Sequence, residues 1–226
     1  MLVQHGAKAP CSARQTLSKS PDLSVQTTPP RRLLLLATLA ALAGCAVQPQ
    51  VKPTAPPASG NELRILVFRG GAAARLGHNH VLRASDLKVD WTTAGPVLRF
   101  RLDALDIDPP ALRAGLGPAF ASTVDDDDRA GTRNNLLKAL DAAAHPEVVV
   151  RSLQQVGDGP RRAVEAEITL HGATRHQWFV VQVDGKRASG EVVIRQSDFA
   201  VQPFTVMGGL LAVQDALVVQ FQLTEN

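Results

Sequence analysis

Several stretches of the chain alternate apolar and polar residues with a period of two. Residues 97–102 put Leu98, Phe100 and Leu102 on one face, with Val97, Arg99 and Arg101 on the other. Residues 164–170 set Val164, Ala166, Ile168 and Leu170 against Glu165, Glu167 and Thr169. Near the C-terminal end, Leu217, Val219, Phe221 and Leu223 alternate with Val218, Gln220 and Gln222. The same rule holds in 177–183, through Phe179 and Val181, and in 191–195, where Val192 and Ile194 oppose Glu191, Val193 and Arg195. Successive side chains of an extended backbone point to opposite faces. The pattern therefore predicts antiparallel strands with one apolar face and one face toward water. Residues 63–68 and 146–153 add two more strands, the second opening with Pro146 at its edge.

Turn residues punctuate these runs at Gly157-Asp158-Gly159-Pro160, Asp184-Gly185 and Gly208-Gly209. Asp184-Gly185 between two strand patterns is a hairpin signal. From 109 to 144 the period changes: Ala, Leu and Arg dominate, and Leu136, Leu137 and Leu140 recur at helical spacing. One or two helices are expected there. Strands on both sides of a short helical insertion, joined by tight turns, describe an all-β domain. Its sheet closes into an antiparallel barrel or, failing that, packs as a sandwich; closure would remove exposed edges.

The first 60 residues follow other rules. Arg31-Arg32 lead into a run of Leu and Ala that ends at Leu42-Ala43-Gly44-Cys45. Basic start, short apolar middle and small-residue end are the layout of a secretory signal peptide, too short to span a bilayer. The last four residues resemble a bacterial lipobox, which predicts cleavage before Cys45 and acylation of its thiol. Residues 1–30 are polar and precede the basic pair; either they are an extension or translation starts nearer Arg31. Residues 46–60 are rich in Pro and Ala and poor in charge, the composition of an extended tether. The organisation expected is thus a leader over 1–45, a tether over 46–60 and a folded domain over 61–226. The address is the periplasmic side of the bacterial envelope, lipid-anchored. Ala46 stands where inner-membrane lipoproteins carry Asp, so the outer membrane is expected.

Charge and cysteine content narrow the function. Of 24 Lys and Arg residues, five lie at or before Cys45, as does one of 21 Asp and Glu. The remainder holds 19 basic and 20 acidic residues, so the basic pI belongs to the leader. A nucleic-acid partner wants a basic patch on the folded part and is not expected. Cys11 and Cys45 are the two cysteines; loss of the first and acylation of the second leave no disulfide.

Two motifs carry a family resemblance. Ile168-Thr169-Leu170-His171-Gly172-Ala173-Thr174-Arg175 is followed, about twenty residues on, by Arg195-Gln196-Ser197-Asp198-Phe199-Ala200-Val201. The first resembles the Leu-Thr-Leu-His-Gly-Val-Thr-Arg signature of the YceI-like envelope proteins, and the second resembles their Arg-x-x-Asp-Phe-Gly turn. Leu140-Asp141-Ala142 with His145-Pro146-Glu147 matches a helix end and strand start of that family. The resemblance spans 61–226 and implies a lipocalin-like antiparallel barrel whose interior holds a polyisoprenoid or similar amphiphile. Ala200 replaces the family's Gly, and 125–133 lacks its Arg-Asp-x-His pattern.

The candidate chemistry is mostly apolar. Tyr is absent, and two Trp and seven Phe are the only aromatics. The inward set is expected to be Leu98, Phe100, Leu102, Ile168, Leu170, Phe179, Val181, Val192, Ile194, Val219 and Phe221, which suits a long greasy chain better than a polar metabolite. Such a binding protein needs no catalytic residue and no cofactor. The alternative rests on Gly77-His78-Asn79-His80: histidines two apart on a strand share a face and can share a metal, giving a metal-binding or redox-accessory protein. His145, His171 and His176 lie too far along the chain to be assigned as further ligands. His171 before Gly172 reads as an imidazole fixing a turn. Asp125 to Asp128 reads as a solvated loop. No Gly-x-Ser-x-Gly elbow or phosphate-cradling glycine loop is present.

Overall fold

The structure, a computed structural model, describes residues 60–225. The expected leader with Cys45, and all of the expected tether but Gly60, lie outside the described residues. The first half carries strands β1 (Glu62–Val67), β2 (Arg69–Gly70), β3 (His80–Ala84), β4 (Lys88–Thr92), β5 (Gly95–Arg101) and β6 (Leu105–Ile107). Helices α1 (Pro110–Ala114) and α2 (Asp126–Ala139) follow. The second half adds β7 (Glu147–Val156), β8 (Arg161–Leu170), β9 (Ala173–Asp184), β10 (Arg187–Arg195), β11 (Thr205–Val206), β12 (Leu211–Val213) and β13 (Ala216–Thr224). Every strand run expected from alternation is found, and the helices fall inside 109–144.

Ten strands form one antiparallel sheet in the order β4-β5-β7-β8-β9-β10-β13-β1-β3-β6, curled into a lipocalin-like half-barrel. A small sheet, β11-β12-β2, stands beside it. The closure expected from the sequence is incomplete, since the ladder ends at β4 on one side and at β6 on the other. Side chains account for the gap. Arg133 of α2 donates to the carbonyls of Asp103 at 2.9 Å and Leu105 at 2.7 Å, so an arginine satisfies carbonyls at the β6 edge. The β4 edge is short and exposes Lys88, Asp90 and Thr92, a pattern that discourages further pairing.

Two turns show why the wall takes this shape. The β9–β10 hairpin turns at Gly185 and Lys186, with Asp184 and Arg187 paired across it, as the Asp-Gly signal predicted. In β7 a bulge at Ser152/Gln154 inserts one residue against β8. It breaks the period of two, so Ser152 and Gln155, three apart, both face inward.

The main core fills the concave side: Leu63, Leu82, Leu98, Phe100, Leu105, Val148, Ile168, Ile194 and their neighbours are buried there. Leu136, Leu137 and Leu140 of α2 pack against it, which explains their helical spacing. A second cluster lies behind the wall, where Leu66 and Val81, a cross-strand pair, are covered by Leu112, Leu116 and Phe120. The aspartate run is not a loop. Asp125 is the N-cap of α2, its carboxylate accepting from the Asp128 N–H at 2.8 Å, while Asp128 accepts from the Asp125 N–H at 3.2 Å. This reciprocal box and the helix dipole favour acids at the first turn.

Candidate functional site

The concave side encloses a cavity of about 670 Å³. All eleven residues expected to face inward line it: Leu98 and Phe100 from β5, Leu102 just after, Ile168 and Leu170 from β8, Phe179 and Val181 from β9, Val192 and Ile194 from β10, Val219 and Phe221 from β13. Phe179 and Phe221 meet edge to face with ring centroids 5.9 Å apart, a favoured aromatic geometry. Gly190 makes room for that pair, since a Cβ there would sit 2.7 Å from Cζ of Phe221.

Strand register assigns the two ends. The β4–β5, β7–β8 and β9–β10 turns meet at one end, where exposed Thr93, Ala94, Gln155, Gly185, Lys186, Arg187 and Glu225 line the opening. The other end is walled by the buried residues Leu102, Leu105, Leu170 and Gln196, and Leu136 and Leu140 of α2 lie over the wall. Polar groups therefore ring the mouth, and the depth is mostly aliphatic, with His80, Gln196 and, from α2, Thr132 and Asn135 also in its lining. Trp91 of β4 lines the cavity with its indole Nε1 buried. That nitrogen is the one buried side-chain polar atom without a hydrogen-bond partner among the described residues.

His80, half of the pair on which the metal alternative rests, is the first residue of β3 and lines the cavity. Its Nδ1 lies 2.6 Å from Oδ2 of Asp108, which is fully buried. Oδ1 of Asp108 accepts from the Val81 N–H at 2.9 Å and from Nη1 of Arg113 at 2.6 Å. Burial alone would raise the Asp108 carboxyl, but hydrogen bonds from His80, Val81 and Arg113 outweigh it and hold the group below the usual carboxylate range. The Arg113 guanidinium also donates to the carbonyls of Asn79, Phe120 and Ser122.

His78 lies before β3. Its Nδ1 is 3.2 Å from the Ser122 hydroxyl, its Nε2 is 3.7 Å from Asp128, and its ring centroid is 6.1 Å from that of His80. Only His80 of the pair belongs to a strand, so the shared strand face that motivated a metal site does not form. Among the described residues no group of three or more His, Cys, Asp and Glu side chains could hold a metal ion.

His171 stands at φ 53 in the β8–β9 turn and donates from Nδ1 to the Phe199 carbonyl at 3.1 Å, the turn-fixing role its position suggested. It thereby ties the first family motif to the second. Ring contact with His145, at 5.8 Å, completes the corner. Sequence reasoning missed Asp108 and Arg113: an Asp before two prolines carries no pattern that separates a buried carboxylate from a turn residue. It also missed Leu82 and Trp91 on the short strands β3 and β4, where Leu82-Arg83-Ala84 and Val89-Asp90-Trp91 do alternate.

The sequence profile of a family described as the YceI-like domain matches residues 98–224, from β5 to β13. Among solved structures, BcnA of Burkholderia cenocepacia is similar at 13% identity, covering 74% of this chain and 96% of its own, with a TM-score of 0.48. The YceI protein of Campylobacter jejuni is similar at 11% identity, covering 64% of this chain and 84% of its own, with a TM-score of 0.42. No curated protein matches the chain.

Proposed function

The chain belongs to the YceI-like domain family, and from that membership we propose that it binds and carries a polyisoprenoid or similar amphiphilic lipid in its cavity at the bacterial envelope. The observation that supports this reading is an apolar cavity of about 670 Å³ lined along its depth by aliphatic side chains. That volume falls in the range of small-molecule sites. Directional contacts are few, so affinity comes from burial, at roughly 0.8 kcal/mol for each CH₂ removed from water. Ten buried CH₂ groups would then contribute about 8 kcal/mol before the loss of chain freedom is subtracted. The role is non-catalytic and needs no cofactor. Acylation at Cys45 would hold the protein on the periplasmic face, at the outer membrane, where the ligand is itself membrane-resident.

The decisive experiment purifies the protein from its own envelope, extracts it with organic solvent and analyses the extract by mass spectrometry, with elemental analysis of a parallel sample. The expected result is an isoprenoid or related lipid near one per chain and no stoichiometric metal. Stoichiometric metal without lipid would overturn the reading in favour of the His78/His80 alternative. A cavity filled by the protein's own side chains in a crystal would overturn it too.

A further inference from the structure

Most of the cavity's depth is aliphatic, yet one imidazole on its wall is backed by buried charge. His80 shares a strand face with Leu82 and Ala84, both in the core that surrounds the cavity. Asp108 behind it is 0% exposed and sits at φ 51, a strained position for a residue with a side chain. Arg113, 7% exposed, pairs with it at 2.6 Å. Taking two charges out of water is expensive unless their geometry satisfies both; here both terminal nitrogens of Arg113 find acceptors and the carboxylate accepts from three donors. The carboxylate can only accept, so the nitrogen of His80 facing it, Nδ1, must carry the hydrogen. Asp108 and Arg113 cancel one another's charge, and a neutral imidazole leaves the cluster uncharged. In that tautomer Nε2 bears a lone pair. It has no partner among the described residues, and the ring lines the cavity.

We propose that His80 Nε2 is a fixed hydrogen-bond acceptor at the walled end of the cavity, and that it selects lipids whose inserted end bears a free hydroxyl. The inference rests on the carrier reading and adds the class of ligand: a prenyl or other long-chain alcohol in preference to its ether or hydrocarbon. The lone pair can accept from an O–H but has nothing to offer an ether oxygen. Asp108 is a positioning residue, acting through the ring whose tautomer it sets. Arg113 also ties Phe120 and Ser122 to Asn79, just before β3, so loss of stability in a variant would not by itself test the idea.

The test compares geranylgeraniol with geranylgeranyl methyl ether, which differ in a single donor. Each is titrated by calorimetry into the purified full chain after removal of endogenous lipid. The alcohol is expected to bind about tenfold more tightly, the size of one neutral hydrogen bond. In His80→Phe the preference for the alcohol over the ether should disappear. To keep the test independent of any repacking around the substituted ring, ¹⁵N NMR of His80 in the unaltered protein supplies a second readout. A pyridine-type Nε2 that shifts on adding the alcohol and not on adding the ether supports the inference. Equal affinity for both lipids in the unaltered protein, or an Nε2 carrying the hydrogen, overturns this inference alone. Binding of neither lipid overturns it together with the carrier reading.

Discussion

Enlarging Ala166 to Phe is the most direct way to ask whether the cavity holds the ligand. Ala166 is 1% exposed, lies on β8 between Val164 and Ile168, and lines the cavity. A ring built there extends into space that a lipid chain would otherwise occupy. A phenyl group displaces roughly four methylenes, and at about 0.8 kcal/mol each the ligand loses about 3 kcal/mol. That converts to a dissociation constant about a hundredfold weaker. Stability should respond differently. If the ring enters open volume it gains contacts and Tm holds or rises; if the wall is already packed, the insertion costs about 1–3 kcal/mol. Lipid recovered per chain by extraction and mass spectrometry, alongside thermal unfolding by circular dichroism, reads both quantities. Lipid content unchanged in a folded Ala166→Phe protein would refute the placement of the ligand. Unfolding at normal ligand content would mean that the space beside Ala166 is not open.

Three further outcomes are expected. Cys45→Ser should release the protein from membranes into the soluble fraction, and continued palmitate labelling of that variant would sink the lipidation reading. Asp108 has a folded pKa below its ordinary value of about 3.9, so its contribution to stability is complete above that value and is lost as pH falls through it toward the folded value. Thermal unfolding followed from neutral to acid pH should therefore show Tm falling below about pH 4, and Asp108→Asn should lower Tm at neutral pH while flattening the acid limb; parallel curves would contradict the assignment. Gly172→Ala should destabilise by roughly 1–3 kcal/mol, because φ is +72 and the new Cβ would sit 2.7 Å from Cε1 of His145; an unchanged Tm in urea and heat would show that the corner relaxes freely.

What the sequence disclosed follows from which forces act along the chain and which across it. Alternation in 164–170 or 217–223 records contact with one continuous apolar interior, so both the strands and the inward residues are legible there. The Asp125 to Asp128 run is solvated, as its charge suggests, but it is a capped helix start and not a loop, and Asp-x-x-Asp ahead of a helical run is the capping signature that says so. Strands of three to five residues, such as β3, β4 and β6, give alternation too little length to stand out. The cluster of His80, Asp108 and Arg113 was not legible, since it joins residues 28 and 5 positions apart through pairing that only the folded sheet creates. The incomplete closure was hidden for the same reason: an arginine 28 residues away meets the Leu105 carbonyl in place of a strand.

The chain contains just two tryptophans, and the fold sends them to opposite sides of the wall. Trp178 stands on the outer face at 48% exposure, whereas Trp91 borders the cavity with its indole N–H buried and unpartnered. Indole emission moves with the polarity and hydrogen bonding around the ring. A Trp178→Phe chain would thus carry a single intrinsic fluorophore at the cavity wall, and its emission maximum would register filling and emptying in real time. An occupant that offers the indole an acceptor should move the maximum to the red, and one that only excludes water should move it to the blue. The fold thereby supplies its own optical gauge, one that distinguishes the chemistry of an occupant without any attached dye.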